Sequence, residues 1–93
     1  MIRNAPPKHP DSSKWYWLEW PAAELDGATI TNSSWQLPTG LVKNDSMLSG
    51  RLVGIRLSGG SLDDDLVVWN NITTSSGEDL REALLIRIRE TGH

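Results

Sequence analysis

The 93 residues predict a β-rich domain of about six short strands, all-β or α+β according to how the last segment folds. Three observations carry this prediction. Runs of branched and aromatic residues alternate with period two, and turn signals built from Gly, Pro, Asn, Asp and Ser separate them every roughly 8 to 15 residues. Five tryptophans stand in a chain with no Phe and one Tyr, so indoles must supply much of the apolar bulk.

Residues 1–13 (MIRNAPPKHPDSS) hold three of the five prolines and little apolar material, which reads as an extended, polyproline-like arm. Pro6, Pro7 and Pro10 are its candidate contacts for a partner. Residues 14–93 form the single domain, whose mass permits burial of about 64% of its unfolded surface and therefore a thin core.

Lys14 to Trp20 (KWYWLEW) is a strand closed by Pro21. Its alternation sends Tyr16, Leu18 and Trp20 to one face, expected to be core, and Trp15, Trp17 and Glu19 to the other. Two indoles are thus left outside, as candidate interface residues. In Ala28 to Leu37, Ile30 and Trp35 are both expected in the core although they lie on opposite parities, so a bulge or bend is expected near Asn32-Ser33-Ser34. Pro38-Thr39-Gly40 is a turn, and a short Leu41-Val42 run is ended by Lys43-Asn44-Asp45-Ser46.

Arg51 to Ser58 sets Val53, Ile55 and Leu57 against Leu52, Gly54 and Arg56, the pattern of a half-buried strand, and Gly59-Gly60 reads as a hairpin turn. Leu66 to Thr74 (LVVWNNITT) is a central strand that contributes Trp69 to the core. Glu78 to Glu90 supports two structures. Ser76 before Asp79, with Leu80, Leu84 and Ile88 at spacing four, fits a helix; Leu84, Ile86 and Ile88 alternating with Leu85, Arg87 and Arg89 fits a strand with Ile86 and Ile88 in the core.

Composition removes several function classes. A net charge of −3 with mixed signs argues against binding nucleic acid through a basic face. Apolar runs of about four residues are far short of the roughly 20 needed to span a bilayer as a helix, and no charged-then-apolar leader precedes them, so a soluble protein without membrane partners is expected. Zero Cys excludes disulfides, thiolate metal sites and a cysteine nucleophile. His9 lies between prolines and His93 at the last position, neither of them the buried, oriented setting of a general base. Asp63-Asp64-Asp65 lacks the alternating ligands of a calcium loop, and Gly59-Gly60 lacks the Lys of a phosphate loop. No cofactor, metal or catalytic residue is expected.

Two stretches together resemble the bacteriophage fiber-tail adaptor proteins. The first, WYWLEWPAAELDGATITNSSWQLPTGL, carries Glu19-Trp20, then Asp26 to Ile30, Ser34-Trp35 and Gly40-Leu41 in the order of the family's opening. The second, WNNITTSSGEDLREALLIRIRE, resembles its closing hairpin, and LSGG at Leu57 to Gly60 resembles the turn between its middle strands. SLDDDL replaces a Gly-containing loop of the family, and the first thirteen residues lie outside its pattern. The resemblance implies an immunoglobulin-like β-sandwich of six to seven antiparallel strands, with the C-terminal segment as a strand. It also implies a non-catalytic virion protein, made in the host bacterial cytoplasm and present in several copies or a ring, that joins tail, connector and fiber proteins.

Two other readings of the residues stand beside it. One is a carbohydrate-binding or adhesion module in which Trp15 and Trp17 stack on sugar rings. The other is a small α+β interaction protein with a C-terminal helix.

Overall fold

Seven strands and one helical turn build the domain in the computed structural model, which describes residues 2–90. In chain order they are β1 (Ile2–Asn4), β2 (Lys14–Glu19), α1 (Ala22–Leu25), β3 (Ile30–Gln36), β4 (Leu41–Ser49), β5 (Leu52–Gly59), β6 (Asp65–Thr74) and β7 (Asp79–Arg87). They form a four-stranded sheet, β1-β7-β6-β3, and a three-stranded sheet, β2-β5-β4, packed as a sandwich. Labelled A to G in chain order, the sheets hold B-E-D and C-F-G, the immunoglobulin arrangement, with the first strand on G rather than B.

Alternation decides what is buried. Tyr16 and Leu18 of β2 and Val53, Ile55 and Leu57 of β5 meet Val68 and Ile72 of β6 and Leu84, Ile86 and Ile88 from the last strand and its continuation. Trp20 is 1% exposed, and its indole N–H donates to Asn70 Oδ1 at 3.0 Å. Asn70, itself fully buried on β6, donates from Nδ2 to Ser33 Oγ and to the Ser34 carbonyl. One polar bridge therefore joins the two sheets, and its donors and acceptors satisfy each other as burial requires.

Asp79–Arg87 is a strand, which removes the α+β reading. Nine residue pairs from Asp65↔Arg87 to Thr73↔Asp79 join it to β6. Nonlocal pairing outweighs the helical spacing because a helix here would leave β6 unpaired along that edge. In β3 the register shifts between Ile30 and Asn32, so Thr31 is the extra residue. This bulge turns buried Ile30 and half-buried Trp35 toward the same core. It lies one residue before the polar triplet expected to hold it.

Several expectations are corrected. β4 continues through Lys43 to Ser46 as far as Ser49, because an edge strand exposed along almost its whole length tolerates polar residues on both faces. Gly59-Gly60 makes no hairpin: it carries the chain from β5 in one sheet to β6 in the other. Both glycines have positive φ, and a Cβ on Gly59 would sit 2.5 Å from the Gly40 carbonyl oxygen. Trp69 is not in the core. It shares the outward parity of Val67 and Asn71, since Val68, Asn70 and Ile72 take the inward one. A single helical turn, unforeseen in the sequence, follows Pro21 and is closed by Asp26 and Gly27 in left-handed conformations.

The N-terminal segment is seated on the domain. β1 pairs parallel with β7, the Ala5 amide donates to the Leu85 carbonyl, and Lys8 bridges to Ile88 beyond the gap left by Pro6 and Pro7. Lys8 is fully buried, and its ammonium donates to the carbonyls of Gly59 (2.7 Å) and His9 (2.9 Å). Burial pushes its pKa down, partly opposed by the nearby Asp11 carboxylate.

Candidate assembly interface

β2 borders the three-stranded sheet, so its outward residues face away from the core beside a free edge. There Trp15 and Trp17 stack, with ring centroids 5.3 Å apart and planes 13° from parallel. Trp17 is opposite Gly54 on β5. The glycine is what lets the indole come so close: a Cβ on Gly54 would fall 2.4 Å from Cζ3 of the ring. Met47 of β4 lies opposite Gly54 on its other side, so Trp17, Gly54 and Met47 form one row across the sheet. Trp17 is 46% exposed and Met47 48%, an apolar surface left open by the described residues.

The same indoles border a groove. About 280 Å³ in volume, it is lined by Arg3, Asn4 and Pro6 from the N-terminal segment, Trp15 and Trp17 from β2, and Leu84 from β7. Arg3 holds the two sides together: Nη1 donates to the Glu19 carbonyl, and Nη2 lies 3.9 Å from the Glu82 carboxylate. Of the sequence-predicted contacts, Pro6, Trp15 and Trp17 converge here. Pro7 and Pro10 do not line the groove: the Pro7 carbonyl accepts from Lys14 Nζ, and Pro10 stands inside the His9–Ser12 turn. Gly54, Met47 and Arg3 had not been singled out, although a glycine within an alternating strand was a usable sign of close approach.

On the inward side of β2, the Tyr16 hydroxyl is buried without a hydrogen-bond partner among the described residues. Burial pushes its pKa up to about 12. On the far face of the sandwich, Trp69 lies under the Arg81 guanidinium at 4.3 Å, and Arg81 Nη2 donates to Gln36 Oε1. Trp35 borders an open groove of about 260 Å³ with Ser46 and Leu48, between the free edges of β3 and β4.

His9 Nδ1 accepts the Asp11 amide within the turn, and His93 is outside the described residues. The aspartate triplet ties strands together: Asp65 pairs with Arg89 at 2.8 Å, while the Asp63 amide and the Asp64 carbonyl bond the backbone of Ile88. Among the described residues no group of three or more His, Cys, Asp or Glu is placed to hold a metal. The arrangement brings together a stacked aromatic pair, an apolar row and a groove bordered by Arg3.

No curated protein matches this chain. A family model does, that of the podophage GP4 fiber-tail adaptor protein gp77, in one span over residues 8–87. That span runs from buried Lys8 to the end of β7 and includes the stacked indoles and the row beneath them, so the chain belongs to the podophage GP4 fiber-tail adaptor protein gp77 family.

Proposed function

We propose that this phage adaptor is a non-catalytic joint, present in several copies in the virion, that docks a tail or connector protein through Trp15, Trp17 and the groove beside them. Made in the host cytoplasm, it is then taken into the particle, where fiber proteins hold its other surfaces. The observation that carries this reading is the Trp15–Trp17 stack laid on Gly54. A thin-cored domain would gain by turning Trp17 inward, yet the ring is stacked on Trp15 over Gly54 and left nearly half exposed, and Trp concentrates at the energetic centres of interfaces. Pro6 and Met47 extend the same apolar surface on either side.

The test is binding of the full chain to isolated tail or connector components, compared with a Trp15→Ala, Trp17→Ala variant. The variant is expected to lose about 2 kcal/mol or more of binding, roughly thirty-fold in Kd, while unfolding as cooperatively as the parent. Unchanged binding overturns the reading. Quenching of tryptophan fluorescence by millimolar oligosaccharide would instead favour sugar stacking; none is expected, because each indole already spends one face on the other.

A further inference from the structure

Residues 2–8 are held by contacts that any identical chain offers. β1 is three residues long and parallel, the less stable pairing per residue. Pro6 and Pro7 supply no N–H, so the ladder resumes only at Lys8, whose amide donates to the Arg87 carbonyl and whose carbonyl accepts from the Arg89 amide. The Lys8 ammonium anchors the segment on Gly59. These backbone partners lie on β7 and just beyond it, in the sheet opposite β2, the strand into which the segment leads. Residues 9–13 must therefore cross between sheets as an irregular connector. The family match begins at residue 8: the seat on β7 is inside it, and the strand that fills the seat is outside.

We propose that in assembled copies residues 2–8 of one chain occupy the seat on β7 of the next, linking neighbours through the bonds closed here within one chain. This deepens the reading of repeated copies given above. Exchange between identical chains alters only the path of the connector, which makes it a low-cost route to association. An isolated chain closes on itself because its own arm is present at an effective concentration on the order of millimolar; copies held side by side compete on equal terms.

The chain has no cysteine, so introduced thiols report the exchange cleanly. Asn4 and Leu85 are partners across β1 and β7, and strands about 4.8 Å apart fall within the span of a disulfide. Full-length Asn4→Cys and Leu85→Cys variants are mixed at about 1 mM, refolded together from denaturant and oxidised. The disulfide heterodimer is expected at about ten-fold the yield of Asn4→Cys mixed with Val42→Cys, an exposed position on the far edge strand. The double variant Asn4→Cys, Leu85→Cys, oxidised when dilute, is expected to close within one chain, which establishes that both positions fold and meet. Its failure to close overturns the seat itself. Closure without excess heterodimer overturns the exchange and leaves the adaptor reading standing, because tail binding is scored on chains that carry no cysteine.

Discussion

Trp17 and Trp20 stand three residues apart on one stretch of chain and have opposite fates. Trp20 is enclosed, with its N–H on Asn70 and its own amide on the Arg51 carbonyl, and it joins two sheets. Trp17 lies against a glycine on the outer face, stacked on its neighbour Trp15 and still 46% exposed. A side chain rich in apolar area is spent on stability in one place and left for a partner in the other. Parity assigns the two roles, and Gly54 keeps the second one open.

The largest effect expected is on the buried side of this comparison. Trp20→Ala should cost about 3–5 kcal/mol, approaching the whole stability of so small a domain, and chemical denaturation measures it. A loss below about 1 kcal/mol would erase the distinction between the two indoles. Asn70→Ala leaves the Trp20 N–H buried without its acceptor and should cost about 1–3 kcal/mol by the same measurement. Gly54→Ala acts on the open side. The new methyl must lift the Trp17 ring, with a stability cost of about 1 kcal/mol, a red-shifted tryptophan emission and weakened tail binding. Unaltered emission and binding would mean that the close approach of the ring to Gly54 is not needed.

The last effect is a titration, seen only at alkaline pH. Tyr16, which shares the inward face with Trp20, has its pKa raised from 10.0 to about 12 by burial. The folded state then holds this proton more tightly than the unfolded state. Its contribution is fully present below pH 10 and is lost as pH rises toward 12. Tyr16→Phe should flatten this part of the stability profile, and it also removes a buried hydroxyl that has no partner.

Legibility followed the reach of the forces involved. Inward and outward positions on β2 and β5 were readable because each strand has one dry face, and alternation records it directly. Trp69 was misread because LVVW is apolar on both parities. Only the pairing of β6 with β3 and β7, with Arg81 laid over the ring, distinguishes its two faces. β4 escaped because an exposed edge leaves little hydrophobic pattern to find. β1 escaped because three residues have no strand preference of their own; the open edge of β7 makes them a strand.

Local chemistry alone therefore determined the β-rich class, the inward sets of two strands, the surplus of indoles on β2 and the need for a bulge before Trp35. Each depends on side-chain alternation or turn geometry within a few residues. The tertiary structure decided the rest: the last segment as strand, the double glycine as a passage between sheets, the seat for residues 2–8, and the convergence of Pro6 on Trp15 and Trp17. Those outcomes depend on which unpaired backbone edges and apolar faces meet across the sandwich, between residues up to about eighty positions apart, as Arg3 and Leu84 are.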